Sequence, residues 1–354
     1  MTDDAGDTVR GVRHGTAPVP LSVLDLAGVG TGLTARDALL TTVELARLAE
    51  RRGYHRYWVA EHHNMPGIAS SSPPVLIGHL AAATGRIRVG SGGVMLPNHA
   101  PLVVAEQFGM LAALHPDRID LGLGRAPGTD QVTAHALRRE WRPPAEARGS
   151  AEAAVRTADE FPGQLAELTA FLHGEAGRIT AVPAAPTPPP IWLLGSSGYS
   201  AQLAGRLGLP FSFAHHFSGE NTLPALELYR SSFTPGTLAE PYAMIGVSVY
   251  CADTEAEARR MASSQELSLL LLRHGRPGPL PSPDEAAGYP YTSIDRALIE
   301  QRARYTVVGD PASVADQLAK LAAETGVPEL MITTNAWDHA ARLRSYELVA
   351  EALR

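Results

Sequence analysis

The chain has 354 residues, 45% of them hydrophobic and 19% charged, and its formal net charge at pH 7 is -7. This length suits one large α/β barrel or two ordinary domains, and the acidic balance argues against nucleic acid as a partner. No apolar stretch reaches the roughly 20 residues that a membrane-spanning helix needs. The single cysteine, Cys251, excludes an intrachain disulfide and a multi-cysteine metal site. We therefore expect a soluble, cytoplasmic protein without a membrane partner.

From residue 21 onward the chain alternates apolar strand-like runs with amphipathic helices, whereas residues 1–20 read as a disordered tail without the apolar core of a secretory signal. Helix starts are marked by Thr34 with Asp37, by Thr254 with Glu257, and by Asp310 before a proline. The predicted strands are Leu21–Leu26, Tyr57–Glu61, Ile87–Leu96, Ile119–Leu123, Ile191–Leu194, Phe211–Ala214, Ala243–Cys251 and Glu329–Thr334. Eight such units predict a single (β/α)8 barrel over residues 21–354, with a doubly wound sheet as the alternative.

Two connections are longer than a barrel requires. Residues 127–150, after the fourth strand, are polar and charged, and residues 273–304, after the seventh, are rich in proline and glycine. Loops of this length are commonly functional lids or disordered segments. We predict that both are insertions that close over a substrate and keep water out.

The second predicted strand ends in a carboxylate followed by two imidazoles, Glu61-His62-His63. Histidine moves protons readily near neutral pH, so this edge is a candidate reaction site. Neighbours on a strand face opposite ways, which makes a shared metal ion an unfavoured interpretation. The roles of His63, of His99 and of the pair His215-His216 stay open, because a structural histidine would give the same pattern.

A second candidate site is the segment Gly195-Ser196-Ser197-Gly198-Tyr199-Ser200, which leads from the fifth strand into a helix. Such a turn directs free backbone N–H groups and the positive end of a helix dipole at one point, as in a phosphate cradle. An ordinary tight turn with a serine cap explains the segment equally well when it is taken alone. Arg125, at the end of the fourth strand, favours phosphate, because a barrel places the ends of these two strands side by side.

The third candidate is the glycine-rich run Gly90-Ser91-Gly92-Gly93 in the third strand. Glycine weakens strand interiors and often marks the close approach of a ligand to the backbone. A flat ring lying against this strand would explain the run. A bulge or a corner of the barrel is the alternative.

With these motifs in this order, the chain resembles the flavin-dependent luciferase-like monooxygenases. The sequences of its motifs look most similar to those of the bacterial group that includes antibiotic-pathway oxidoreductases. The resemblance rests on Trp58 to His63, Val89 to Pro97, Ala105-Glu106-Gln107 with Gly122 to Arg125, and Gly195 to Gly198. It implies a (β/α)8 barrel, usually a homodimer, that binds FMN at the C-terminal face of its strands. The resemblance further implies that a separate reductase supplies reduced FMN and that this flavin reacts with O2 to oxygenate a substrate.

By position, the resemblance makes His62 the catalytic histidine, Arg125, Ser197 and Ser200 the phosphate binders, and the Gly92–Gly93 peptide a cis bond behind the flavin ring. No metal is implied. Gly124 and Ser196 stand where bacterial luciferases have a cysteine and a glutamate, which argues against light emission from a long-chain aldehyde. The candidate cofactor-binding residues are Ser91, Gly92, Gly93, Arg125, Ser196, Ser197, Gly198, Tyr199 and Ser200.

Two other functions remain open. A relative that uses the deazaflavin F420 for hydride transfer would share the fold and the phosphate site. A barrel that binds flavin without catalysis would share them too, although it would not need the acid–base groups at Glu61-His62-His63.

Overall fold

A computed structural model describes residues 19–126, 128–137 and 151–353 of the chain. Its strands are β1 (Leu21–Asp25), β2 (Arg56–Val59), β3 (Arg88–Ser91), β4 (Val94–Met95), β5 (Ile119–Gly124), β6 (Ile191–Gly195), β7 (Phe211–Phe213), β8 (Ala243–Cys251), β9 (Thr306–Gly309) and β10 (Glu329–Thr333). Its helices are α1 (Ala35–Arg51), α2 (Pro73–Ala83), α3 (Pro101–Leu114), α4 (Gln131–Leu137), α5 (Ala151–His173), α6 (Gly198–Arg206), α7 (His215–Ser218), α8 (Thr222–Ser231), α9 (Glu255–Arg273), α10 (Pro283–Gly288), α11 (Ser293–Ala303), α12 (Pro311–Thr325) and α13 (His339–Ala352).

Eight parallel strands close into a barrel in the order β1-β2-β3-β5-β6-β7-β8-β10, and β10 pairs back onto β1. All eight correspond to the strands predicted from the sequence, so the (β/α)8 prediction is confirmed and the doubly wound sheet is wrong. The predicted helix caps also form, since the side chains of Thr34, Thr254 and Asp310 each accept a hydrogen bond from the first turn that follows. The short strand β4 pairs with β5, and β9 extends the sheet beside β8.

The barrel interior is ionic at its N-terminal end. The buried Arg56 guanidinium lies 3.0 Å from Asp120 and 2.9 Å from Glu329, and Arg88 lies 2.6 Å from Asp120. Burial would raise the pKa of Asp120, but the adjacent Arg88 and Arg56 outweigh it and lower that pKa to about 2. Because this network closes the bottom of the barrel, the opposite, C-terminal end is left for a site.

An aromatic layer fills the middle of the barrel. The rings of Trp58 and Trp192 meet edge to face, with centroids 5.2 Å apart. Leu24, Met244 and Met331 pack around them from three further strands. Among the described residues the barrel interior is thus a packed core, and the C-terminal mouth is the end at which barrels of this class form their ligand sites.

The long connections differ from the predicted loops. The connection after β8 contains α9, α10, α11 and β9, so residues 273–304 are largely helical. Capping boxes at Ser282 and Thr292 start α10 and α11, and these local signals outweigh the prolines and glycines that favour a loop. After β5, α4 is described, while most of the predicted 127–150 loop lies outside the described residues, as does nearly all of the predicted tail at residues 1–20.

Candidate active site

Glu61 organises the edge that follows β2. Its carboxylate is buried and lies 2.9 Å from His63 Nε2 and 2.8 Å from His99 Nε2, and it accepts a hydrogen bond from the Met95 N–H at 3.0 Å. Burial would raise the pKa of Glu61, but the hydrogen bonds from His99, His63 and Met95 outweigh it, so the pKa lies below its ordinary value. An ionised Glu61 therefore holds both imidazoles, which gives His63 and His99 a structural role that their sequence pattern had left open.

His62 has no such partner. Its Nδ1 atom is buried and makes no hydrogen bond to any described residue, while its backbone N–H donates to the Ser70 carbonyl at 3.0 Å. Burial lowers the pKa of His62 below its ordinary value, although the nearby Glu61 opposes this shift. The fixed backbone thus presents a neutral imidazole with an unsatisfied ring nitrogen, which is the arrangement a bound ligand would complete.

The third-strand glycines are required mainly by packing within the barrel. A Cβ on Gly90 would lie 2.7 Å from Asp120 and Trp58, one on Gly92 would lie 2.7 Å from Leu24, and one on Gly93 would meet backbone of β5. Close packing between neighbouring strands therefore requires these glycines even without a ligand, and the contact with a flat ring stays a prediction. The Gly92–Gly93 peptide bond is cis, as the resemblance implied.

Ser91 is buried and engaged within the sheet. Its hydroxyl donates to the Gly122 carbonyl at 2.8 Å and accepts from the Gly122 N–H at 2.9 Å. The predicted cofactor contact of Ser91 is therefore restricted to its backbone, because the side chain is already satisfied.

Arg125 lies beside the turn that follows β6, as the barrel geometry predicted. Its guanidinium carbon is 4.2 Å from the centroid of the Tyr199 ring, in the first turn of α6. Ser197 is the N-cap of α6, and its side chain makes no capping hydrogen bond. Ser196 and Ser197 are exposed, whereas Ser200 is buried. A guanidinium, exposed hydroxyls and a helix N-terminus thus converge where an anion could bind.

Of the two histidines after β7, His215 has a structural role and His216 faces the candidate site. His215 is buried, its Nδ1 lies 2.7 Å from the Thr222 hydroxyl, and its ring packs edge-on against Tyr305. His216 Nδ1 lies 2.9 Å from the Gly246 carbonyl, so this nitrogen carries the proton and Nε2 is left as an acceptor. Burial, together with smaller effects of the positive charges on His215, Arg302 and His62, lowers the pKa of His216 to about 4 although the Gly246 hydrogen bond opposes the shift.

Two other features, a metal centre and a membrane-spanning helix, are not found in the part of the chain that the structure describes. Among those residues, no group of three or more histidine, cysteine, aspartate or glutamate side chains could hold a metal ion. No helix formed by them is both long and apolar enough to cross a bilayer.

A closed parallel barrel whose mouth combines a guanidinium, a helix N-terminus and an imidazole with an unsatisfied nitrogen is the arrangement expected of a cofactor-dependent barrel enzyme. The chain belongs to the luciferase-like monooxygenase family, whose family model matches residues 19–329. It is 45% identical to a luciferase-like monooxygenase of Escherichia coli strain K12 over 94% of this chain and 96% of that protein. It is 37% identical to an N-acetyl-S-alkylcysteine monooxygenase of Bacillus subtilis strain 168 over 95% and 98%.

Solved structures agree with this assignment. Apo-MsnO8 superposes with a TM-score of 0.84 at 41% identity, covering 94% of this chain and 98% of that one. The family recognised from the motifs is thus confirmed, and the protein is a flavin-dependent oxidoreductase.

The wider fold includes more than one flavin type. The oxygenating constituent of 3,6-diketocamphane monooxygenase from Pseudomonas putida, solved with FMN, shares the fold at 19% identity and a TM-score of 0.69, over 95% and 98% of the two chains. An F420-dependent secondary alcohol dehydrogenase shares it at 14% identity and a TM-score of 0.66, over 95% and 99%. The fold alone therefore does not select between FMN and F420.

Proposed function

We propose that this protein is the oxygenase component of a two-component system, which uses reduced FMN and O2 to oxygenate a small organic substrate. The observation that carries the proposal is the convergence of Arg125, Tyr199 and the N-terminus of α6 at the barrel mouth, because this cradle suits the single phosphate of FMN. The named monooxygenase relatives support the same reaction class.

In this proposal the chain's own groups bind and orient the flavin and exchange protons with the reacting molecule. Arg125, the Ser197 hydroxyl and the first N–H groups of α6 would hold the phosphate, and the backbone of residues 91–93 would lie behind the ring. Reduced FMN, when bound, would supply the two electrons that activate O2. His62 Nδ1 or its opposite ring nitrogen would exchange a proton with the reacting molecule. The insertion α9–α11 would limit the entry of water.

Three further features belong to the proposal. No dinucleotide fingerprint follows a strand in the sequence, so a separate reductase would supply the reduced flavin. The family resemblance supports a homodimer formed through barrel helices. A cytoplasmic location, as expected from the sequence, is the third feature of the proposal.

The test compares FMN with riboflavin, which lacks the phosphate. Arg125→Ala should weaken FMN binding at least tenfold while leaving riboflavin binding within about twofold, since a charged hydrogen bond is worth about 1.5–3 kcal/mol. Arg206→Ala, at the opposite end of α6, is the matched control and should change neither affinity. Equal weakening of both flavins by Arg125→Ala would remove this residue from the phosphate site.

The F420 alternative is tested by the same titration. Tight binding of F420 with no measurable FMN binding would make the protein a hydride-transfer enzyme. Binding of reduced FMN without oxygen consumption would favour the non-catalytic barrel.

A further inference from the structure

A cavity of about 290 Å³, partly open to solvent, lies beside the barrel mouth, outside the proposed phosphate site. It is bounded by α7, the C-terminal half of β8, and the insertion helices α9 and α11. Ser248 enters it from β8, on the same strand face as Met244 of the aromatic layer, so this side of the cavity continues the barrel interior. The volume lies near the lower limit of small-molecule sites, which favours a small ligand.

His216 connects the cavity to the barrel mouth. Its ring lines the cavity, and it lies close enough to His62 for the charge states of the two imidazoles to influence each other. A molecule in the cavity would therefore contact His216, at the side of the cavity that faces the barrel mouth.

One wall of the cavity is positively charged. The half-buried Arg302 of α11 donates from Nη2 to the His216 carbonyl at 3.2 Å, and this contact directs the guanidinium to the α7 side of the cavity. Arg273 of α9 also lines the cavity, and burial together with this like charge lowers the pKa of Arg302 below its ordinary value. The exposed Glu220 offsets the shift only in part. Arg302 makes no ion pair with any carboxylate among the described residues, so a half-buried guanidinium is left with donors that are not neutralised.

The remaining walls are mainly apolar. Leu269, Leu270, Leu298 and Ile299 project from α9 and α11. Glu266 also lines the cavity, and burial raises its pKa above the ordinary value. The cavity thus combines a cationic corner with an aliphatic lining and a separate carboxyl group that would repel a misplaced anion.

We propose that this cavity is the substrate pocket, and that it takes a small organic acid whose carboxylate binds Arg302 while its aliphatic chain contacts the leucines of α9 and α11. The planar guanidinium fork matches a carboxylate in two-point contact, and Arg273 adds a second positive charge. This placement sets the carboxylate end of the molecule beside His216 and leaves the aliphatic chain along α9 and α11. The inference rests on the proposed monooxygenase function and specifies its substrate class.

The test is a calorimetric titration of the flavin-free protein with two probes of the same length, hexanoate and hexanamide. The wild-type protein should bind hexanoate about tenfold to a hundredfold more tightly than hexanamide, the range that a charged hydrogen bond supplies. Arg302→Gln should abolish this preference while leaving hexanamide binding nearly unchanged, and Arg302→Lys should retain part of it.

Two further variants test whether the effect is local. Glu266→Gln should leave hexanoate binding unchanged or strengthen it, because a carboxyl group is removed from the pocket. Arg276→Gln, which removes an exposed charge from the connection after α9, should have no effect. Equal affinity of the two probes, no binding of either at millimolar concentration, or equal loss of both in a folded Arg302→Gln protein would overturn the proposal. Because the titration needs no flavin, such a failure is distinct from the failure of FMN binding or of oxygen consumption.

Discussion

At the scale of single residues, the side chains of Glu61, His62 and His63 at the end of β2 differ in their hydrogen-bond partners. Glu61 and His63 point into a hydrogen-bonded group with His99, whereas His62 points away and keeps a buried nitrogen unsatisfied. A buried polar atom without a partner costs free energy, so its persistence is better explained by a ligand than by folding. This contrast is the basis for the proposed role of His62 in proton transfer.

His62→Ala should keep FMN affinity within a few fold and lose product formation by about 10²–10⁴-fold, the usual contribution of a general acid or base. Oxygen consumed by the variant should appear as hydrogen peroxide, which a coupled peroxidase assay measures alongside product. His63→Ala is the comparison and should act mainly by lowering the melting temperature, because it removes a partner of Glu61. Loss of turnover in His63→Ala with normal turnover in His62→Ala would reverse the assignment.

The pH dependence of turnover should follow the shift of His62. Because burial lowers its pKa below 6.5, the imidazole is neutral at pH 7 and stays neutral somewhat below pH 6.5. If His62 accepts a proton, kcat/KM should be flat near neutrality and fall as the pH drops through the lowered pKa. A rate that increases on acidification over pH 7 to 5.5 would identify His62 as a proton donor and contradict its role as a base.

At the scale of secondary-structure elements, glycines occur where neighbouring strands of the barrel pack so closely that a Cβ atom would not fit. Gly90→Ala should destabilise the protein by about 1–3 kcal/mol, because its Cβ would lie 2.7 Å from Asp120 and Trp58 inside a packed barrel. Gly163→Ala is the matched control in α5, where an added Cβ meets no atom within 4 Å, and it should stabilise by about 0.5–1 kcal/mol. Urea unfolding of the three proteins gives both values, and a neutral Gly90→Ala would contradict the packing argument.

The same elements show what the sequence could and could not predict. Continuous apolar runs such as Ala243–Cys251 identified all eight barrel strands, and the barrel rule alone placed Arg125 next to the turn after β6. The pairing of Glu61 with His99 joins residues on two different connections, and no local pattern reports it. The cavity beside Arg302 was not predicted either, because it depends on how α9 and α11 pack over β8.

At the scale of the whole molecule, buried neutral histidines make stability depend on pH. Burial lowers the pKa of His55 to about 4, against an ordinary value of 6.5, and His216 behaves alike. The unfolded chain therefore binds more protons than the folded one between about pH 4 and 6.5, so stability should fall as the pH drops through this window. Urea midpoints at pH 7.5, 6.5, 5.5 and 4.5 would measure the slope. His55→Gln should reduce it, and an unchanged slope would exclude His55 as a contributor.

The outer surface of the barrel provides the test of the proposed homodimer. Val75 on α2 and Met110 and Leu114 on α3 are large apolar side chains that are exposed by 74%, 52% and 68%. The two helices contact each other, as the neighbouring Gly78 and Leu111 show, so these exposed side chains lie on adjacent helices. Exposed large apolar side chains on neighbouring elements often mark protein–protein contacts, and a homodimer through α2 and α3 would cover them. Light scattering at micromolar concentration should give a dimer mass for the wild-type protein and a monomer mass for the double variant Val75→Glu/Met110→Glu, since two buried charges per subunit would lack partners.

Leu223→Glu, at an equally exposed position on α8, is the control and should remain dimeric. A wild-type monomer would exclude the homodimer, whereas a dimer that survives the double substitution would place the interface on other helices of the barrel.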